Sequence, residues 1–375
     1  MAAYRLTFLM AGLCMGAWAP LVPFARNRAG IDDGALGLLL LCLGLGSLIM
    51  MPLAGALNAR RGCRFTMHVG IALVFLTLPL LATVHSFSGL VLALILFGAG
   101  CGTVDVTMNV QGVMVERATG RSLMSGFHGL FSLGTIASAA AITALLWLGA
   151  TPLLASGAVL VTLVAFVLTS GRHMLGRSGD AAGPVFARPS RNVWGLGILC
   201  LIAFLAEGAI LDWSAVFLAQ VRAVEPAIAG LGYAVFAVMM ALGRLSGDRI
   251  VARLGPRTVL MGGGLIVMAG FVLVVAATNW LWNLVGFGII GAGLANVAPV
   301  YLSLAGAQRT MPGELAIAAA TSLGYLGILM GPAAVGLFAH LSSLSAALLA
   351  VASLMTAIIV SAARLVPKAS RQRLH

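Results

Sequence analysis

Three carboxylates, Asp105, Glu207 and Asp212, stand inside long apolar runs of the chain. A charge at the centre of a membrane helix costs a few kcal/mol, so an ionisable residue there reads as functional by default. Two kinds of chemistry are open to it: reversible uptake of a proton, or hydrogen bonding to a polar solute. Asp105 lies ten residues from the end of its run, about 15 Å at 1.5 Å per residue, which is mid-depth in a ~30 Å hydrocarbon core. Asn109, one turn on, shares its helix face. Glu207 is fourteen residues into another run. Asp212 follows five residues later, about 140° around the helix, so the two do not face one cavity squarely. His128 falls at a depth similar to Asn109 and could relay protons to it or to Asp105. Asp105, His128 and Ser132 have the residue types of a nucleophilic triad, but no nucleophile elbow accompanies them, and no enzyme activity is expected.

Flat rings at the same depth, Trp18, Phe127, Phe131 and Trp213, would suit a solute that presents both C–H faces and polar groups. No Lys or Arg is expected at mid-depth, which disfavours an anionic substrate. Arg244 and Asp248 are four apart and can pair on one helix face. They read as part of an inner gate with Arg249, Arg253 and Arg257.

What positions these residues is a membrane. Of 375 residues 61% are hydrophobic and 9% charged, against about 25% charged in a soluble domain. Apolar runs between charge or Gly/Pro breaks number twelve. They are 4–25, 34–58, 63–84, 87–115, 122–149, 151–171, 193–220, 227–252, 257–278, 280–308, 314–340 and 343–366. The first could pass for a signal peptide, but an even count of spans requires it to be retained. The polar stretch 172–192 has a linker's composition, dividing the chain into 1–171 and 193–375, the latter with a basic tail.

The formal charge of +12 would suggest nucleic acid in a soluble protein. Here the basic residues lie between spans. With the N-terminus inside, eighteen Lys and Arg collect on the cytoplasmic side and three, Arg26, Arg28 and Arg222, on the other. Both termini are therefore expected in the cytoplasm. The five cysteines show no CxxC spacing, so neither metal nor disulfide framework is expected. No GxxxxGK[ST] loop is present; the energy source would be an ion gradient, and no cofactor is expected.

An internal repeat is visible. Ala59-Arg60-Arg61-Gly62-Cys63-Arg64 recurs as Ala252-Arg253-Leu254-Gly255-Pro256-Arg257, displaced by 193 positions. The same displacement carries Gly98-Ala99-Gly100 onto Gly291-Ala292-Gly293, Gly37 onto Gly230 and Gly134 onto Gly327. Duplicated six-span halves with a midplane site are a transporter architecture. GxxxG pairs at Gly12/Gly16, Gly98/Gly102 and Gly327/Gly331 read as close helix contacts.

Gly55 with Ala59-Arg60-x-Gly62-x-Arg64 resembles the cytoplasmic loop signature of the major facilitator superfamily, and the resemblance covers essentially the whole chain. Ala59 replaces the family's usual acid there; Asp248 is the candidate substitute. Val104-Asp105-Val106-Thr107-Met108-Asn109, Phe127-His128-Gly129-Leu130-Phe131-Ser132 and Glu207-Gly208-Ala209-Ile210-Leu211-Asp212-Trp213-Ser214 resemble a small bacterial branch. It includes the YbjJ-like inner-membrane proteins and the transporters of rhizopine gene clusters. The resemblance implies an all-α integral membrane fold of two pseudo-symmetric six-helix bundles, with spans one, four, seven and ten around a central cavity. It also implies a multi-pass protein of the bacterial inner membrane, acting as a monomer.

The expected function is alternating-access, proton-coupled transport of a small polar solute, neutral or cationic and sugar-like. An exporter or uncoupled facilitator of the same fold is the alternative, and a non-transporting sensor a more distant one. Asp105, Glu207 and Asp212 are the proton-coupling candidates. Trp18, Asp105, Asn109, Phe127, His128, Glu207, Trp213 and Asn296 are the substrate contacts, and Arg60, Arg64, Arg244, Asp248, Arg253 and Arg257 the gate.

Overall fold

The computed structural model describes residues 2–31, 33–170 and 188–365; most of the expected 172–192 linker and the basic tail from 366 lie outside the described residues. The described residues are helical and contain no strand. In chain order the helices are α1 (Ala2–Gly16), α2 (Val22–Ala29), α3 (Asp33–Thr83), α4 (Phe87–Thr119), α5 (Met124–Trp147), α6 (Pro152–Ser170) and α7 (Arg191–Val216). They continue with α8 (Pro226–Ala229), α9 (Leu231–Ala276), α10 (Trp280–Leu294), α11 (Val297–Ala307), α12 (Gly313–Leu341) and α13 (Leu344–Leu365).

Ten helical segments are long and apolar enough to cross a membrane. Two of them, of 43 and 46 residues, are twice the ~20 that one crossing needs. Each holds one non-helical residue, Gly62 (φ 82°, ψ 165°) in α3 and Gly255 (φ 78°, ψ 156°) in α9. These are the glycines of the repeated arginine motif, and a positive φ with extended ψ is open only to glycine at low cost. Each long helix is thus two spans joined by a tight turn, and the chain makes the twelve crossings read from its apolar runs.

Two other spans are interrupted. Span one breaks at Ala17–Trp18 into a 3₁₀ turn (Ala19–Leu21) and α2, with Pro20 and Pro23 at the first positions of the new turns, where a missing N–H costs nothing. Span ten breaks at Ala295–Asn296 between α10 and α11. There Pro299 has no N–H to offer the Ala295 carbonyl.

By their contacts the residues form two compact units. The first is Met1–Ala118, Leu130–Val193 and Gly306–Ser322; the second is Thr119–Gly129, Trp194–Ala305 and Leu323–His375. In the first unit α1 and α3 pack on α6; in the second α9 packs on α10 and α13.

The repeat holds at the level of individual contacts. A Cβ on Gly98 would overlap the carbonyl oxygen of Leu43, and one on Gly291 that of Phe236; both partners are 193 residues apart, as the glycines are. Gly134 meets the backbone of Leu9, and Gly327 that of Leu201, partners displaced by 192. Backbones approach this closely only where side chains are absent. Gly98→Ala is therefore expected to destabilise by about 1–3 kcal/mol. Gly157→Ala, in α6 with nothing within 4 Å of the added carbon, should gain up to ~1 kcal/mol from helix propensity. Opposite shifts of the unfolding midpoint in detergent check the pair; equal shifts would contradict it.

Two arginines on the side poor in basic residues have structural employment. Arg28 donates to the carbonyls of Leu81 and Val84 at 2.7 and 2.9 Å, and Arg222 to those of Val274 and Val275 at 3.3 and 2.8 Å. Each satisfies open carbonyls at the C-terminal end of a long helix, where a cation is also favoured by the dipole. Arg222 lies in addition over the Phe217 ring, 4.8 Å from its centroid.

Candidate functional site

In the first unit the site is built on α4. Asp105 stands within two residues of the middle of this 33-residue helix, which carries its carboxylate to mid-depth. The residue is half-buried, and its carboxylate makes no hydrogen bond or ion pair among the described residues. Asn109 is 1% exposed, its amide donating to the Asp105 carbonyl of its own helix at 2.9 Å.

Further toward the arginine-rich end, Gln111 of α4 reaches Thr7 of α1 at 3.1 Å and leaves its own carbonyl oxygen without a partner. Trp18, at the break in span one, is 4% exposed, and its indole N–H has no partner. Arg60 and Arg64 are exposed on either side of the Gly62 turn.

In the second unit the central feature is an ion pair. Arg244 of α9 lies 3.3 Å from Glu207 of α7, with side-chain exposures of 8% and 26%. The expectation that no Arg stands at mid-depth is corrected here. Counted from Leu231 to the Gly255 turn, Arg244 is central in its span, and Glu207 is central in the 31-residue segment Arg191–Val221. A buried guanidinium needs a carboxylate, and the one at matching depth supplies it.

Tyr233, three turns before Arg244 on α9, lies within electrostatic range of Glu207, Asp212 and Arg244. Asp212 is exposed. Trp213 is half-buried and donates its indole N–H to the Pro332 carbonyl at 3.2 Å, so its ring packs on α12. His128, 8% exposed, lies within electrostatic range of Arg244; Phe127 is 2% exposed. Asn296, at the break in span ten, is 6% exposed and donates to the Gly243 carbonyl at 3.2 Å.

The start of α5 is held by α9 in this same unit. The Gly126 N–H, in the first turn of α5, donates to Asp248 Oδ1 at 2.8 Å, and Gly129 lies against Leu245. A carboxylate at a helix N-terminus meets unpaired N–H groups and the positive end of the dipole. Asp248→Asn keeps the shape and removes the charge; it should cost about 1 kcal/mol, read as a lower unfolding midpoint that vanishes at high salt. An unchanged midpoint at low salt would contradict this. Arg253 is exposed and Arg257 half-buried, flanking the Gly255 turn.

Reasoning from sequence missed Tyr233, Gln111 and the depth of Arg244. A signal was present for Arg244: a cation inside a span demands an acid at its own height, and counting residues along each span places Glu207 there.

The model of the Major Facilitator Superfamily matches residues 6–315. An uncharacterized MFS-type transporter of Yersinia pestis is 49% identical over 359 residues, covering 96% of this chain and 94% of that protein. The membrane protein MosC of Rhizobium meliloti is 31% identical, over 92% of this chain and 85% of its own. Among solved structures, the fucose:proton symporter FucP of Escherichia coli superposes with a TM-score of 0.82 at 16% identity, covering 96% of this chain and 97% of that one.

Proposed function

Since the chain belongs to the major facilitator superfamily, a family of multi-pass membrane transporters and not of enzymes, we propose that it carries a small polar, sugar-like solute coupled to protons. Asp105 is the coupling acid. One observation carries this reading: of the two acids at mid-span, Glu207 is neutralised by Arg244 while Asp105 has no partner among the described residues. An unpaired carboxylate at that depth is tolerated either wet or protonated, and exchange between those two conditions is what a proton-coupled cycle requires. Glu207 already has its counter-charge, and with it the pair presents donors and acceptors to a solute at no net charge.

The acidic balance supports a neutral or cationic substrate. In the second unit two acids, Glu207 and Asp212, and one arginine, Arg244, lie within electrostatic range of Tyr233, and Glu207 is the acid paired with Arg244. In the first, Asp105 adds a negative charge. Trp18 supplies an indole N–H without a partner and a ring face beside the break in span one. Alternating access between halves 1–171 and 193–375 would expose such groups to each side in turn. The eighteen-to-three distribution of Lys and Arg supports cytoplasmic termini, and the bacterial relatives support placement in a bacterial inner membrane.

The test begins with a thermal-shift screen of hexoses, deoxyhexoses, polyols and amines against purified protein. Hits are then offered to proteoliposomes holding an internal pH dye. Addition of a hit should acidify the lumen in wild type. Transport of a labelled hit with no proton movement would overturn the coupling; stabilisation only by carboxylic or phosphorylated solutes would overturn the substrate class.

A further inference from the structure

The repeated turn differs between its two copies in one respect that creates a cavity. At the second copy a pocket of about 560 Å³ opens beside Gly255, lined by Leu254, Arg257, Thr258, Met261, Gly262 and Leu265, a volume within the range of small-molecule sites. Its wall is a single stripe of the second arm of α9. Positions 257, 258, 261, 262 and 265 recur on one helix face, over about 12 Å. The stripe grades from charged to apolar: a guanidinium and a hydroxyl at the turn, a thioether next, and a leucine furthest into the span. Leu254 and Leu265 are 54% and 56% exposed. A Cβ on Gly262 would meet nothing within 4 Å, so the groove is open along its floor. Arg249 and Arg253, exposed on the preceding arm, add positive charge at the same end.

In the first copy the positions 193 residues earlier are Phe65, His68, Val69 and Ala72 in place of Thr258, Met261, Gly262 and Leu265. Arg61 lies over the Phe65 ring there, 5.4 Å from its centroid. A branched side chain stands where the second copy has none, and an aromatic ring replaces the hydroxyl. The two turns share their backbone conformation, but the stripe that lines the groove in the second copy is not repeated in the residues of the first.

We propose that this groove is a binding site for one anionic phospholipid. The phosphate and its negative headgroup sit on Arg257 and Thr258, and an acyl chain lies over Gly262 between Met261 and Leu265. The order of polarity along the stripe is that of a phospholipid from headgroup to tail. Exposed leucines at a span end face hydrocarbon, so a water-soluble anion would leave the lower half of the groove unused. Basic pockets among membrane helices select anionic headgroups by charge.

The test uses the full-length protein in mixed micelles containing phosphatidylglycerol and phosphatidylethanolamine at equal concentration, with retained lipid counted by native mass spectrometry. Wild type should retain phosphatidylglycerol in preference, less so as salt rises, because the contact is screened. Arg257→Gln should weaken that preference about fivefold, the factor that ~1 kcal/mol per basic residue gives. Arg257→Lys should keep most of it. Gly262→Val, which copies Val69, should lower retention of both lipids, while Arg64→Gln in the first copy should leave retention unchanged. Equal retention of the two lipids by wild type would overturn the proposal. So would a preference indifferent to Arg257→Gln, retention indifferent to Gly262→Val, or displacement of lipid by inorganic phosphate beyond that caused by sodium chloride at the same ionic strength, which marks a free-anion site. The salt series on wild type reads the same charge dependence without any substitution.

Discussion

Asp105→Asn should abolish gradient-driven accumulation of the substrate, down to the level of vesicles without protein, and leave exchange of labelled for unlabelled substrate intact. The amide has the size and polarity of a protonated carboxyl, so the solute still meets a hydrogen-bonding group. It cannot lose or gain the proton, so one leg of the coupled cycle has nothing to release. The variant should also fold at least as well as wild type, since the Asp105 carboxylate has no ion pair or hydrogen bond to lose among the described residues and burial of its charge is costly. Asp105→Glu keeps the titrating group on a longer arm and should restore part of the accumulation. Counterflow and pH-jump uptake on the same vesicle preparation separate the two functions. If Asp105→Asn accumulates substrate normally, the coupling acid lies elsewhere.

The second large effect concerns the Glu207–Arg244 pair, and it falls on stability as well as transport. Glu207→Gln removes the carboxylate that the Arg244 guanidinium, 8% exposed, meets at 3.3 Å. Breaking a buried pair from one side costs 3–5 kcal/mol. About 3 is expected here, at the low end of that range, because a quarter of the Glu207 side chain is exposed. Arg244→Gln should cost a similar amount from the other side. The double substitution Glu207→Gln/Arg244→Gln removes both charges and should recover most of the loss, giving a coupling of about 2 kcal/mol in a double-mutant cycle. Additive losses would mean that the two side chains act independently. Transport should respond differently: the double variant regains folding without regaining the arrangement of charges that meets the solute, so its uptake stays low.

Much of the architecture followed from composition and spacing. Twelve apolar runs, a displacement of 193 and the glycines carried by it are local properties, and local physics decides them. An apolar run of ~20 residues must close its own hydrogen bonds in hydrocarbon, so it is a helix. Gly62 and Gly255 were marked by the repeat, and the structure shows why glycine stands there: both take a positive φ that only glycine adopts cheaply. The GxxxG pairs Gly12/Gly16, Gly98/Gly102 and Gly327/Gly331 were read as close approaches, and each of these glycines lies against the backbone of another helix. The depth of Asp105 and Glu207 follows from counting at 1.5 Å per residue.

What counting could not reach was the partner of each side chain. Arg244 was read with Asp248 because they are four apart on one helix, and spacing reports on neighbours along a helix only. The structure adds contacts that spacing along one helix could not give: Glu207, 37 residues from Arg244, and the Gly126 N–H, 122 residues from Asp248. Which helix faces which is set by packing summed over whole surfaces, where every long side chain has several reachable acceptors. The same holds for Trp213, whose ring lies on α12 through a bond to Pro332, and for Asn296, turned onto Gly243. Helices, turns, depth and repeat were determined by the sequence alone. That Glu207 is paired with Arg244 while Asp105 has no partner among the described residues was decided only when tertiary packing set spans distant in sequence beside one another.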